Sequence, residues 1–436
     1  MKKSYFRIAF NTCALFLLTG FSWIFSAPNK VSVVKNEKGH WELQVNGTPY
    51  YVKGSLYTPV ALGEDPSTAT MGDWMQYDLN KNHKNDLLEE VWLDRNRNNL
   101  KDSDEKMVGD FQILKDLGCN TLRLYHLPSA QTILGKIYKT NPGTKKQFDH
   151  ESNKELLRTI HQKFGMRFLL GNYLGSWTIG SGTTWEEGTD YNNPQHLQNI
   201  ENSLKALILD HKDEAYVLAW VLGNENNIAT WSKCNAAQEK IAYYQFVNRM
   251  AQKIHEWDPQ HPVMICEGFT ENDLPYYSKY LPDIDIFGFN AYMGWGFNQL
   301  WDEFRAQVDK PVCLTEFGLF SFQSGQINEK SQATYLKACL EDMWKHSALN
   351  QDAKDPSARI CVGGTLFDYL DRWYMNGNPK HQNSGSNRWE FSDDNIEHSE
   401  YWGITSMGDG KDGLFKRQLK QACDVVKNHW TSAQAS

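Results

Sequence analysis

Positive charge is in short supply in this sequence. Its 436 residues carry 45 Lys and Arg against 53 Asp and Glu, a formal net charge of -8. The cations are scattered, apart from the pair Lys145-Lys146. No basic stripe exists to neutralise phosphates, which excludes a nucleic-acid partner. Paired cysteine is lacking too. Of 8 Cys, only Cys13 falls in the first 27 residues. The odd remainder leaves at least one thiol unpaired in a monomer, the expected state. Cys119, Cys266, Cys313 and Cys361 sit inside apolar runs, where they read as small buried hydrophobes, so no disulfide framework is expected. After Ala27 no apolar run approaches the roughly 20 residues of a membrane span. There is no repeat beyond a strand–helix alternation and no domain-scale linker. The one low-complexity stretch, 376–387, reads as a flexible loop.

What is present begins with residues 1–27. Lys2, Lys3 and Arg7 precede an apolar run from Cys13 to Phe25, and Ser26-Ala27 follows. This is the layout of a secretory signal, with an uncleaved membrane anchor as the alternative. It predicts a secreted, periplasmic or envelope-associated protein whose single domain covers 28–430. Aromatic residues are abundant, with 16 Trp, 20 Tyr and 21 Phe. They fit either a large aromatic core or a cleft in which rings stack on sugar faces.

A hairpin is expected at 40–45 and 50–54, around Asn46-Gly47. Short apolar runs then alternate with amphipathic helical patterns. Strands are predicted at 50–57, 120–125, 167–172, 217–223, 262–266, 284–290, 311–314 and 360–366. Helices are predicted at 110–117, 153–164, 194–210, 236–257, 330–346 and 414–427. Eight strands in this alternation predict an α/β fold, a single (β/α)8 barrel. Chemistry in such barrels sits at the carboxyl ends of the strands. Those ends read Tyr57, Tyr125-His126, Asn172-Tyr173, Asn224-Glu225, Glu267, Asn290-Ala291-Tyr292, Glu316 and Asp368. His126 and Asn172 are candidate substrate contacts by this placement. Trp177, Trp295 and Trp373 follow strands 3, 6 and 8 and are candidate sugar platforms, with Trp402 closing the same side.

A glutamate ending a buried strand is costly unless it faces a polar cavity. Two of them, Glu225 after strand 4 and Glu316 after strand 7, fit glycoside cleavage. In that reaction one carboxyl protonates the leaving oxygen and the other attacks the anomeric carbon. These segments resemble the signature of clan A glycoside hydrolases: Asn224-Glu225, and Glu316 within Thr315-Glu316-Phe317-Gly318. Similarity extends to Tyr51-Val52-Lys53-Gly54 with Tyr57-Thr58-Pro59, to 120–126, to Gly363-Gly364 through Asp371-Arg372-Trp373, and to Tyr401-Trp402-Gly403-Ile404. The resemblance implies retaining double displacement, with Glu225 as acid/base and Glu316 as nucleophile. It further implies that Asn224 bonds the sugar 2-hydroxyl, Tyr292 orients the nucleophile, and Arg123 tunes its charge. Within the clan the motifs resemble both the β-galactosidase and β-glucuronidase group and the fungal-type β-1,3-glucanosyltransferases. The former carry β-sandwich domains before the barrel, an arrangement not expected from the short stretch ahead of strand 1.

An acidic insertion, 64–107, follows strand 1. Asp78, Asn80, Asn82, Asp86 and Glu89 place oxygen donors at positions 1, 3, 5, 9 and 12 of a calcium loop. Asp94, Asn96, Asn98, Asp102 and Glu105 repeat the pattern. Position 6 is His83 or Asn99 instead of glycine, and the long flanking helices of a sensor domain are missing. Structural Ca2+ is therefore expected, with no cofactor for catalysis. The favoured function is hydrolysis of a β-linked oligo- or polysaccharide. Three alternatives remain: a transglycosylase using the same residues, a non-catalytic glycan-binding barrel at the envelope, and a calcium-dependent adhesion protein.

Overall fold

The computed structural model describes residues 29–68, 70–127, 154–352, 357, 359–389 and 394–432. The 1–27 segment and Lys145-Lys146 lie outside them. Eight parallel strands close into a barrel: β1 (Val52–Leu56), β2 (Thr121–Leu124), β3 (Arg167–Asn172), β4 (Val217–Leu222), β5 (Val263–Gly268), β6 (Ile286–Asn290), β7 (Val312–Phe317) and β8 (Cys361–Leu366). Each pairs with its sequence neighbours, and β8 pairs with β1. Strands of a parallel barrel are covered on both faces, so runs such as Val217–Leu222 are apolar throughout and wholly buried.

A helix follows every strand: α1 (Asp110–Asp116), α2 (Lys154–Phe164), α3 (Pro194–His211), α4 (Lys240–Trp257), α5 (Leu274–Tyr280), α6 (Asn298–Gln307), α7 (Glu329–Lys345) and α8 (Gln421–Thr431). Helix α3 shows how local sequence sets a boundary. Asn193 caps the amides of Gln195 and His196, and Pro194 occupies the first turn. Among the described residues no helix is long and apolar enough to cross a membrane.

The structure corrects the sequence reading in four places. Helices α5 and α6, which the strand–helix alternation requires, are given no limits by the sequence reading, because seven and ten residues carry too little periodicity to stand out. The helix expected at 414–427 begins only at Gln421. Lys416–Leu419 ahead of it is a strand, pairing with Trp92–Leu93 of the insertion and with Thr405–Ser406. The expected hairpin forms around Asn46 and Gly47, both at positive φ, but its return strand is only Thr48–Pro49. A third strand, Val31–Lys35, completes that small sheet. Its Val31 and Leu43 join Val52, Leu169, Leu218 and Met264 in the cluster that plugs the bottom of the barrel. Finally, stretch 376–387 is anchored: Glu400 accepts from the backbone amide of Asn376 at 2.8 Å and also from that of Asn383.

One buried ion pair ties the top of the barrel together. Arg417 meets Asp110 at 2.8 and 2.9 Å, and both are fully buried. Tyr57 after β1 and Tyr369 after β8 donate to the same carboxylate. Asp110→Leu, which strands the Arg417 charge, should lower unfolding free energy by about 3–5 kcal/mol. Asp110→Leu combined with Arg417→Met should lose distinctly less. Urea unfolding of both variants measures the difference.

Candidate active site

The site is assembled at the carboxyl ends of the strands around Arg123 of β2. Its side chain is 1 % exposed. Nη1 donates to Glu316 at 2.9 Å, to the Thr315 carbonyl at 2.8 Å and to Asn290 at 3.3 Å. Nη2 donates to Asn224 at 2.6 Å and lies 3.1 Å from Cys266 Sγ. Glu316 is held from two further sides. Tyr125 donates to Oε1 at 3.0 Å and Tyr292 to Oε2 at 2.9 Å. Burial, reinforced by the Glu316 charge, keeps both phenols far above their ordinary pKa, so they remain donors. One cation and two hydroxyls thus converge on the Glu316 carboxyl.

Glu225 receives no such support. It stands in left-handed conformation (φ 56) in the turn after β4, beyond Gly223 and Asn224, and its amide donates to the Cys266 carbonyl at 3.1 Å. Its carboxyl accepts one neutral hydrogen bond, 3.1 Å from Asn290 Nδ2. Burial first, and the Glu316 charge second, push it up to about 7. The two carboxyls thus stand in unlike surroundings: Glu316 meets a cation and two hydroxyls, Glu225 a single amide. Asn290 bridges the two halves, because its Oδ1 accepts from Arg123 and from Thr315. Asn224 Oδ1 accepts from both Arg123 and Asn290, which leaves its Nδ2 for a ligand.

A cavity of about 390 Å³ opens beside these groups, with Tyr125, His126, Tyr173, Trp177, Asn224 and Arg372 in its walls. The insertion supplies another wall through Met71, Trp74 and Met75. The three tryptophans expected as platforms do not all converge there. Trp177 lines the cavity and stacks on Trp185, ring centroids 6.1 Å apart. Trp295 is 60 % exposed against Tyr335, away from the cavity. Trp373 is buried behind the wall, close to Gly410. Asn172 accepts from the Leu174 amide at 2.9 Å and its carbonyl from the Gly223 amide at 2.8 Å, so it braces two strand ends. Trp402 packs edge-on against Tyr292, centroids 5.2 Å apart. Roles for Tyr125, Asn290 and Arg372 escaped sequence reasoning; the signal for the first two was their position at strand ends.

Both insertion loops turn through left-handed residues. Lys81 and His83 in the first, and Arg97 and Asn99 in the second, have φ between 58 and 66°. Asp78 accepts from the amides of Asn82 and His83 at 2.8 and 2.9 Å. In the first loop Glu90, one residue beyond the expected Glu89, turns inward to accept from Asn80 and Asn82 at 3.1 and 2.7 Å. Glu89 points outward toward Lys84, 3.8 Å away. In the second loop Asn96 and Asn98 donate to Asp102, and Glu105 caps the amides of Arg95 and Asp102. Among the described residues no three His, Cys, Asp or Glu converge as a metal-holding group. The donor sets here are mixed with Asn. Asp86 Oδ1 and Asp94 Oδ1 are each buried without a hydrogen-bond partner.

No family model matches the chain. A beta-glucuronidase of Paenibacillus borealis is 22 % identical over 337 residues, covering 74 % of this chain and 45 % of that protein. Among solved structures, a beta-D-glucuronidase of Dictyoglomus thermophilum superposes with a TM-score of 0.51 at 17 % identity, over 92 % of this chain and 54 % of that one. A beta-galacturonidase from Eisenbergiella tayi bound to galacturonate gives 0.50 at 14 %, over 92 % and 54 %. The chain thus spans about half the length of these proteins. All three are glycoside hydrolases, in agreement with the clan A resemblance of the strand-end motifs, and the two structures share the parallel barrel.

The electrostatics predict how Glu225 titrates. With Glu316 intact its carboxyl should ionise near pH 7. Glu316→Gln removes a neighbouring negative charge, so the midpoint should fall, yet stay above an ordinary glutamate because burial remains. Carbon-13 NMR of labelled glutamate measures both; an unchanged midpoint contradicts the coupling.

Proposed function

We propose that this barrel hydrolyses a β-linked glycoside by double displacement. Glu316 attacks the anomeric carbon while Glu225 gives its proton to the departing oxygen, which leaves as an alcohol. Glu225, now a base, takes a proton from water as that water displaces Glu316, returning both carboxyls to their starting states. The observation that carries this reading is the unequal treatment of the two carboxyls: three charged or hydroxyl donors on Glu316, and one amide on Glu225. A glycan-binding or adhesion barrel has no use for that asymmetry. A transglycosylase would use the same residues, with a sugar hydroxyl replacing water.

Arg372 favours a glycone that bears a carboxylate. It lines the cavity at 7 % exposure and pairs through Nε with Asp368 at 2.6 Å. Its Nη2 has no hydrogen-bond partner among the described residues. A buried guanidinium with an unused donor suits an anionic sugar, such as the glucuronide and galacturonide substrates implied by the names of the similar proteins.

The insertion, in this reading, binds structural Ca2+. Asp86 and Asp94 each keep a buried oxygen unpaired, and hard oxygen donors surround them. Bound calcium would also steady the cleft wall, because Asn85 donates to the carbonyls of Trp74 and Met75.

Aryl β-glycosides test the reaction. Proton NMR should show that the first-formed sugar keeps the β configuration. Glu316→Ala should lower kcat on the order of 10⁵-fold, and azide should partly restore turnover while giving the inverted product. A first-formed α anomer from the wild type would overturn double displacement. On aryl glucuronides or galacturonides, Arg372→Met should cost roughly 10- to 100-fold in kcat/KM, with little change on neutral glycosides. Equal losses on both would remove the anionic glycone.

Calcium is tested by thermal melts. Chelator should lower Tm, and calcium should restore it far better than magnesium, because only the native state holds the ion. An unchanged melt, with no metal in the purified protein, would remove the calcium sites.

A further inference from the structure

Glu267 is a carboxyl that the reaction does not use. It belongs to β5, where residues alternate between the barrel axis and the surrounding helices. Cys266 faces the axis, beside Arg123. Glu267 therefore faces outward, into the layer between β5 and α4, and it is fully buried there. A carboxyl in such a layer costs several kcal/mol unless its oxygens are satisfied. Both are. Oε1 accepts from Tyr243 of α4 at 2.6 Å, and Oε2 accepts from the backbone amide of Asn227 at 2.9 Å.

Asn227 lies in the turn that presents Glu225. The Glu225 carbonyl accepts from the amides of Ile228 and Ala229 at 3.1 and 2.8 Å, closing the turn around Asn227. The side chain of Asn227 is locked as well. It donates to the Gly268 carbonyl and to Asp273, both at 2.8 Å, and accepts from the Gly268 amide at 3.0 Å. Asp273 in turn pairs with Lys240 at the start of α4. There is no slack beneath the turn, since a Cβ on Gly268 would stand 2.2 Å from Ile228 Cδ1. A shift of Asn227 has to turn Glu225.

Resting on the glycosidase reading above, we propose that Glu267 is a positioning residue for the acid/base: it clamps the turn of residues 225–229 to β5 and α4, and so aims the Glu225 proton at the leaving oxygen. Its charge state suits the task. Burial, with additions from Asp273 and Glu225, pushes Glu267 up to about 8; in its neutral form Oε2 keeps the Asn227 amide and the proton on Oε1 turns to the Tyr243 hydroxyl oxygen. A neutral amide of the same shape should then serve.

Two substrates separate aim from mere stability. A dinitrophenyl glycoside leaves without a proton, whereas a methyl or oligosaccharide glycoside needs one. Glu267→Ala should lower kcat/KM on the unactivated glycoside about 10- to 100-fold, part of the roughly 10²–10⁴ that acid catalysis supplies. The dinitrophenyl substrate should change little. Glu267→Gln should be close to wild type on both. Tyr243→Phe, which releases one of the two bonds, should repeat the pattern of Glu267→Ala in weaker form and covers the case in which the alanine variant does not fold. Equal losses on both substrates, or a loss in Glu267→Gln as large as in Glu267→Ala, overturn the positioning role. If the wild type turns over neither substrate, the glycosidase reading fails by itself. Carbon-13 titration of Glu225 then decides: its midpoint must move in Glu267→Ala and not in Glu267→Gln, and an unmoved midpoint overturns the clamp.

Discussion

A guanidinium at the axis of the barrel is the constraint from which the rest follows. Arg123 is removed from water almost completely, so each of its faces needs a partner. Its two terminal nitrogens find them just beyond β4 and on β5, β6 and β7, while Nε is buried without one. An isolated buried cation of this kind would be prohibitively costly. Here it neutralises Glu316 and organises Asn224 and Asn290 at the same time. Cys266 takes part because a small, weakly polar side chain fits against Nη2 where a larger one would not. Glu225, one residue beyond the Arg123 partner Asn224, has no direct contact with the cation, so burial dominates and its proton stays on.

Around that centre the structure sorts polar groups by direction. Inward residues of the strands, Arg123, Cys266, Asn290 and Glu316, form the buried polar centre. Outward ones, Glu267 above all, tie the adjoining loops to the helices, here the Asn227 turn to Tyr243 of α4. A further tier sits above the barrel, where the insertion wall, the strand Lys416–Leu419 and the Asp110–Arg417 pair join the segment between β1 and α1 to the segment before α8. The insertion is thus part of the cleft, through Trp74 and Met75, and part of the frame, through Trp92–Leu93.

Much of this was legible in the sequence, for identifiable reasons. Strands buried on both faces leave unbroken apolar runs, and β3 matches its predicted limits, residues 167–172. Glu225 and Glu316 stood out because an acid at the end of such a run is anomalous. Arg123, by contrast, was assigned a role only through resemblance, since an arginine in a strand says nothing of what it meets. The direction of Glu267 was not legible, because a continuous apolar run does not reveal which residues face the axis. Nor was the choice between Glu89 and Glu90: they are adjacent acids, and the turn geometry of Asp86–Glu89 decides which faces inward. The tryptophans show the limit of topological position. Trp295 and Trp373 follow the right strands, yet loop packing carries one out to solvent and the other behind the wall.

The two arginines of the site differ in a way that bears on specificity. Both terminal nitrogens of Arg123 are spent on the protein, on partners held in or just beyond the strands, and its Nε is buried without a partner. Arg372 comes from the loop after β8. It is stacked over the Phe367 ring at 4.4 Å and lies 5.7 Å from the Tyr125 ring. Such flat packing orients a guanidinium while leaving its edge unspent. Asp368 takes only the Nε edge, and burial pushes that carboxyl up to about 6 even so. Tyr374 also hydrogen-bonds with Arg372, which leaves Nη2 as its one buried nitrogen without a partner among the described residues. A ligand carboxylate placed there would complete the bonding of Arg372 beside Tyr125, whose hydroxyl holds Glu316. Recognition of an anionic glycone and orientation of the nucleophile would then share one aromatic ring, which is why charge on the sugar should register in catalysis as well as in binding.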